Sequence, residues 1–277
     1  MFGILLTLLG TLCEEVASTI VKARVVQQEV SLYTAGFLNL FWVVLGFLCI
    51  AFFVPGTFVF SAASFPTFVA RAVLEIAQAH MTIKALATAA RSGFTFIRTL
   101  TVPLLLLVDF VLGYTLSAQQ MIGIGLIVIV LIVLFMNHGV EGQGREAVLF
   151  IAINAVITLS LYKYHITYFN SVIAEQLLIM SILSVYFFIN SLIVRENPFL
   201  FLKKKIFFLQ SVSMGIGTAA ESFAFVFAPA SIITAAKRSG AVLWSIVSGH
   251  IYFHEKHLFL KVLGFIGLVV GIIFLAT

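Results

Sequence analysis

Residues 231–253 read SIITAAKRSGAVLWSIVSGHIYF, an apolar segment with two adjacent basic residues, Lys237 and Arg238, near its start. A helix rises about 1.5 Å per residue, so both cations would lie roughly 10 Å inside the segment. A basic side chain at that depth of a bilayer costs about 3 kcal/mol unless it is paired, reaches water or binds a ligand. The segment therefore predicts a membrane span that carries a paired or functional charge.

The whole chain has the composition of a polytopic membrane protein. Of its 277 residues, 62% are hydrophobic and only 10% are charged. A soluble domain cannot cover so much apolar side chain, which makes the lipid bilayer the expected environment. The net charge of +5 is concentrated in connections and helix ends, so nucleic acid is not an expected partner. Cys13 and Cys49 lie in apolar runs, which argues against a structural disulfide.

Apolar runs of about 20 residues, the length that crosses a hydrocarbon core, occur ten times along the chain. They lie near residues 2–21, 31–54, 65–86, 90–112, 117–136, 147–163, 171–194, 206–228, 231–253 and 258–276. The predicted fold is an all-α integral membrane protein with ten transmembrane helices. The connections are short, and the sequence shows no nucleophile–base pair, phosphate loop or metal-ligand spacing. We therefore expect no enzyme activity, no cofactor and no metal.

Basic residues lie mostly in or beside the odd-numbered connections between the runs. The positive-inside rule then places these connections in the cytoplasm. The expected location is a cell membrane, with the cytoplasmic membrane of a prokaryote as the working assumption. The residues that set this orientation are Lys22, Arg24, Lys84, Arg91, Arg145, Arg195, Lys203, Lys204, Lys205, Lys256 and Lys261.

The chain also shows weak internal symmetry. A shift of about 140 residues brings Lys22 onto Lys163 and Arg98 onto Arg238. Five spans per half would give the halves opposite orientations in the membrane, with a binding site near the midplane between them. Residues 1–137 and 146–277 are therefore predicted to be two inverted five-helix repeats.

Two long segments resemble the drug/metabolite transporter superfamily in its ten-helix, EamA-like form. They are GHIYFHEKHLFLKVLGFIGLVVGII at 249–273 and PLLLLVDFVLGYTLSAQQMIGIGLIVIVLIV at 103–133. The first resembles the end of the ninth helix, a turn with Glu and a Gly-rich tenth helix, whereas the second has Tyr114 in place of that Glu. The resemblance implies a membrane carrier whose ten helices surround a central cavity.

Narrower resemblances point to two different substrate classes. TAAKRSGAVLWSIVSGHIYF at 234–253 is similar to the ninth helix of the nucleotide-sugar and triose-phosphate branch, which implies phosphate binding by Lys237 and Arg238. SGFTFIRTLTVP at 92–103 resembles that branch's fourth helix and adds Arg98. In contrast, LLGTLCEEVASTIVK at 8–22 resembles the first helix of small multidrug resistance proteins. In those proteins, a Glu at about the position of Glu15 binds both the proton and the drug. In this chain a second carboxylate, Glu14, stands directly before Glu15.

Several polar residues in the spans are candidates for chemistry. Two guanidinium groups from opposite faces would clamp a carboxylate or phosphate, whereas buried carboxylates would either bind protons or neutralise the cations of the empty protein. Two tryptophans would stack on a substrate or line the core. The substrate-binding candidates are Lys237, Arg238, Arg98, Trp244 and Trp42, and the candidates for proton coupling or charge balance are Glu15, Glu14, Glu75 and Glu221.

Three functional hypotheses remain open at this stage. The preferred one is a secondary active transporter that carries a small anionic or zwitterionic metabolite by alternating access. The alternative is proton-coupled export of cationic or amphipathic compounds through Glu15, and the third is a non-transporting membrane scaffold. The glycines 264, 267 and 271 indicate close helix packing, either between the repeats or between two protomers, so monomer and homodimer both stay open.

Overall fold

The computed structural model describes residues 1–88, 101–136, 145–253 and 258–276. Ten α-helices and no strand occur in these ranges, which confirms the predicted all-α fold. Each helix lies at one of the ten predicted runs. In chain order the helices are α1 Phe2–Val26, α2 Leu32–Phe53, α3 Phe65–Thr88, α4 Thr101–Val111, α5 Ala118–Met136, α6 Arg145–Tyr168, α7 Val172–Ile193, α8 Lys205–Phe227, α9 Ala230–Phe253 and α10 Leu258–Ala276.

Apolar side chains cover the outside of the bundle, whereas many polar side chains lie inside it. Phe52 and Val111 are 80% and 86% exposed, while Gln210 and Glu175 are completely buried. Such a surface is unfavourable in water and matches lipid. By length and hydropathy, four of the described helices are able to cross a membrane, over Phe2–Val21, Leu32–Phe53, Leu149–Tyr168 and Val172–Ile193. A membrane location follows, and the crossing by all ten helices stays a prediction.

Each helix of the first half packs most extensively on a helix of the second half. The five pairs are α1 with α8, α2 with α7, α3 with α6, α4 with α9 and α5 with α10. Exchanging the two halves leaves this set of pairs unchanged. The core is therefore built between the halves rather than within either of them.

Glycines allow the closest of these helix contacts. A Cβ atom on Gly217 of α8 would lie 2.8 Å from the carbonyl oxygen of Gly10 in α1, and a Cβ on Gly10 would lie 2.9 Å from that of Gly217. Gly271 of α10 meets Gly123 and Ile127 of α5 in a similar way. Gly267 and Gly271 of α10 thus pack against the first half of the same chain, and the choice between monomer and homodimer stays open.

Two buried charged side chains stabilise the connection between α8 and α9. Asp109 of α4 accepts a hydrogen bond of 2.7 Å from the backbone N–H of Ser231, at the start of α9. Lys163 of α6 donates to the carbonyl oxygens of Phe225 and Ala228, at the end of α8. Each charge has the sign that the adjacent helix end favours. These contacts fix the start of α9, the helix that carries Lys237.

Candidate functional site

Lys237 of α9 lies between two carboxylates from two other helices. Its Nζ atom is 3.0 Å from Oε2 of Glu14 in α1, and it also donates a hydrogen bond to Oε2 of Glu221 in α8. We call Glu14, Lys237 and Glu221 the Lys237 triad. It brings together three residues that the sequence analysis had selected separately.

The Lys237 triad is only partly enclosed. Its three side chains retain 17% to 22% of their accessible surface, although Glu14 lies near the middle of α1. Two carboxylates face one ammonium group, so the fully ionised triad carries a net negative charge. A further charge that reaches this site, whether a proton, a cation or part of a substrate, would compete with the two existing ion pairs of Lys237.

Arg238 and Glu15 directly follow members of the Lys237 triad in sequence. Arg238 is partly exposed, and its charge interacts with both Glu221 and Lys237. Glu15 is also partly exposed and points about 100° around α1 from Glu14. Glu14 thus contacts Lys237 directly, and the proton- and drug-binding role that the resemblance implies for Glu15 stays a prediction.

A second charged group lies on α3, α6 and α7. Arg71 forms an ion pair with Glu175, and its other terminal nitrogen lies 3.7 Å from Glu75. His165 Nδ1 is 3.0 Å from Glu175 Oε1, to which Asn170 donates a hydrogen bond of 2.6 Å. We call Arg71, Glu175, His165 and Asn170 the Arg71 cluster. Unlike the Lys237 triad, its ion pair is almost completely buried.

The Arg71 cluster was largely missed by sequence reasoning. Arg71 and Glu75 are one turn apart in an apolar helix, a spacing that indicates an ion pair. Nothing local indicates Glu175, because it lies 104 residues from Arg71 along the chain. Its location at the start of a predicted span was the available signal, since charges within spans are rare and are usually paired.

The other predicted site residues have different surroundings. Trp244 donates a hydrogen bond of 3.2 Å to the carbonyl oxygen of Leu8, so it links α9 to α1. Trp42 packs edge-to-face on Phe41 and Phe208, with ring centroids 5.3 Å apart in both cases. Its indole N–H is buried without a hydrogen-bond partner among the described residues. Arg98 lies outside the described residues.

Within the described part of the chain, no group of three or more His, Cys, Asp or Glu residues is arranged to hold a metal ion. Comparison with protein-family models and with curated proteins gave no match. The function therefore has to be inferred from the geometry of the Lys237 triad and its surroundings.

Proposed function

We propose that the protein is a secondary active transporter that carries a small anionic or zwitterionic metabolite by alternating access. The Lys237 triad carries this proposal, because a shared cation that is partly accessible in the interior of an apolar bundle suits reversible ligand exchange. Glu14 and Glu221 both pair with Lys237. An anionic group of the substrate would compete with them for the ammonium, and Arg238 would add a second positive charge.

The charges of the Lys237 triad also restrict the substrate. If a substrate anion displaces Glu14 or Glu221 from Lys237, the displaced carboxylate loses its partner in a bundle of low polarity. Such a carboxylate is costly unless it is protonated or meets a new cation. The substrate would therefore either bring an ammonium group of its own or bind together with a proton. Glu75 and Glu15 are further carboxylates that would take part in proton coupling.

The architecture proposed for this transporter is the ten-span, inverted-repeat fold of the drug/metabolite transporter superfamily. Its support is the pattern of helix pairs, which is unchanged when the two halves are exchanged. Ser31 and Ser171 add to it, since each caps the second helix of its half with its hydroxyl oxygen. In this architecture the odd-numbered connections face the cytoplasm, and the chain functions in a cell membrane as a monomer or homodimer.

Proton-coupled export of cationic compounds is the second candidate. The observation in its favour is that two carboxylates, Glu14 and Glu221, converge on one position. A cationic substrate would replace the Lys237 ammonium there, with Glu15 beside the site. A non-transporting scaffold is the third candidate, in which neutralising these charges changes stability and no solute flux exists.

Ligand binding and transport by the reconstituted protein distinguish these candidates. Organic phosphates, amino acids and quaternary ammonium compounds would be screened for thermal stabilisation and for uptake into liposomes. We expect anionic or zwitterionic compounds to stabilise the protein, and Lys237→Gln to abolish both effects. Lys204→Gln is the matched control, because Lys204 also pairs with a carboxylate but lies in an exposed connection.

The opposite pattern would overturn the preferred function. Stabilisation by quaternary ammonium compounds that survives Lys237→Gln and is lost in Glu14→Gln would establish the cation exporter instead. Absence of binding and flux for all three classes, in a protein that remains folded, would favour the scaffold.

A further inference from the structure

The Arg71 cluster joins the two halves of the chain near one end of the bundle. Arg71 comes from α3 of the first half, whereas His165 and Glu175 come from α6 and α7 of the second half. His165 also extends the contact back to the first half, since its Nε2 atom lies 2.8 Å from the hydroxyl of Thr67. Its contacts therefore hold the halves together at this end.

The adjacent connections are tied together as well. Asn170 exchanges hydrogen bonds with the hydroxyl of Ser64 and accepts one of 2.8 Å from the backbone N–H of Ser61. Ser171 and Val59 exchange two more, of 2.9 Å and 3.1 Å. The connection before α3 is thus bound to the connection before α7, and this end of the bundle is closed by contacts between the halves.

Tyr162 of α6 lies between the Arg71 cluster and the Lys237 triad. The guanidinium carbon of Arg71 is 4.7 Å from the centroid of the Tyr162 ring. The Tyr162 hydroxyl donates a hydrogen bond of 3.0 Å to the carbonyl oxygen of Ser222, the residue after Glu221. One buried side chain therefore contacts the closed end with its ring. Its hydroxyl contacts the backbone beside the triad and also the side chain of Gln176 in α7.

We propose that Tyr162 is a positioning residue that couples the closure of this end to the pairing state of the Lys237 triad. When Glu221 leaves Lys237, the backbone of α8 at Ser222 shifts. Tyr162 then either loses a buried hydrogen bond, which is unfavourable, or moves with α8 and shifts its ring beneath Arg71. The inference rests on the proposed function only in taking the triad as the substrate site.

A second route between the two sites has to be separated from this one. Glu75 lies 3.7 Å from Arg71, and its charge also interacts with that of Glu221. Coupling through Glu75 would be electrostatic and would not need the Tyr162 hydroxyl. Tyr162→Phe distinguishes the two routes, because it retains the ring over Arg71 and removes only the hydroxyl.

Thiol labelling of the reconstituted, full-length protein tests the proposal. The reporter is Ser61→Cys in a background in which Cys13 and Cys49 are replaced by alanine, and the reagent is a membrane-impermeant maleimide. Ser61 is half-buried and contacts Asn170 through its backbone, so the substitution keeps that hydrogen bond. Ala63→Cys is the matched control, because Ala63 is exposed in the same connection and reports reagent access alone.

Removing the shared cation with Lys237→Gln imitates the release of Glu221. We expect it to raise the labelling rate of Ser61→Cys at least about threefold while the Ala63→Cys rate stays unchanged. Adding Tyr162→Phe should abolish the difference in labelling rate between proteins with and without the Lys237→Gln substitution. A merely structural role of Tyr162 would instead change the labelling rate equally in both backgrounds.

Two results would overturn the proposal. One is a labelling rate of Ser61→Cys that does not respond to Lys237→Gln, and the other is a response that persists in full with Tyr162→Phe, which would assign the coupling to Glu75. If Lys237→Gln fails to fold, Glu221→Gln replaces it in the same cycle. Labelling requires no solute, so the two proposals can fail separately. A labelling response in a protein that transports nothing would contradict only the proposed function. Transport by a protein that lacks the labelling response would contradict only this inference.

Discussion

At the scale of single residues, the protein uses buried and exposed charges for different purposes. Arg71 and Glu175 are almost inaccessible, with side-chain exposures of 4% and 0%, and additional polar groups surround Glu175. Arg24, in the last turn of α1, and Glu29, in the first connection, form a pair that is partly exposed, with side-chain exposures of 34% and 25%. Removing one member of a buried pair leaves the other charge without compensation, whereas an exposed pair is solvated when it is broken.

We therefore expect Arg71→Ala to reduce the free energy of unfolding by about 3 kcal/mol or more. Arg24→Ala, which breaks the partly exposed pair and leaves Glu29 paired with Lys204, should cost less than about 1 kcal/mol. Both values would be measured by denaturant unfolding in the same detergent. Equal losses for the two variants would mean that the Arg71 cluster is solvated and does not hold the halves together.

At the scale of helices, close packing depends on the absence of side chains at a few positions. Gly10 and Gly217 face each other across α1 and α8, the helices that contribute Glu14 and Glu221 to the Lys237 triad. The backbone approach at these glycines thus brings the two carboxylates to the same ammonium. Small residues have this role in membrane proteins because lipid tails give apolar helices little reason to associate.

Gly217→Ala should separate α1 from α8, because its methyl group would lie 2.8 Å from the Gly10 carbonyl oxygen. We expect a loss of about 1–3 kcal/mol in unfolding free energy. Gly46→Ala in α2 is the control, since nothing lies within 4 Å of a Cβ there and alanine favours the helix. Thermal unfolding in detergent measures both, and an unchanged Gly217→Ala protein would contradict the packing described for α1 and α8.

The start of α2 provides a pH-dependent contact outside the spans. Burial opposes ionisation of Glu196, but hydrogen bonds from the Thr34 hydroxyl and the Ser31 N–H outweigh it and lower the pKa of Glu196 below 4.5. Because the folded-state pKa is lowered, the contact stabilises the fold fully above pH 4.5 and is lost as the pH falls through the folded-state pKa.

Glu196→Gln should therefore be less stable than the parent at neutral pH by about 1 kcal/mol or less. The difference should shrink as the pH falls through the lowered folded-state pKa of Glu196, where the parent carboxylate becomes protonated. Thermal unfolding across this pH range measures it. A difference that stays constant at low pH would show that the carboxylate charge does not stabilise the start of α2.

At the scale of the whole molecule, contacts between the two halves form the core and close an end of the bundle. Each half has a connection between its first and second helices. Gln27 lies in that connection of the first half, and Tyr168 is the last helical residue before it in the second half. In an inverted repeat these equivalent connections lie on opposite sides of the membrane. Both residues are exposed, which makes them suitable reporters.

In intact cells, a membrane-impermeant maleimide should label Tyr168→Cys and should label Gln27→Cys only after permeabilisation. Ala63→Cys should follow Tyr168→Cys, because their connections are hydrogen-bonded to each other. The measurement would use the background without Cys13 and Cys49. Labelling of Gln27→Cys and Tyr168→Cys from the same side would exclude the inverted repeat.

The sequence alone was sufficient to predict the all-helical fold, the position of each described helix and the membrane location. These features depend on local properties, namely the length of apolar runs and the turns between them. It also selected Glu14, Glu221 and Lys237 as candidates, because a charge within an apolar helix is costly and therefore noticeable.

Only the tertiary structure decided how these charges combine. Glu14 and Lys237 are 223 residues apart, and Arg71 and Glu175 are 104 apart, so no local pattern relates them. Adjacent residues such as Glu14 and Glu15 point about 100° apart on a helix, so the choice between them depends on which face meets a neighbouring helix. That face is set by packing between the halves, and it places Glu14 and Glu221 around the cation of α9.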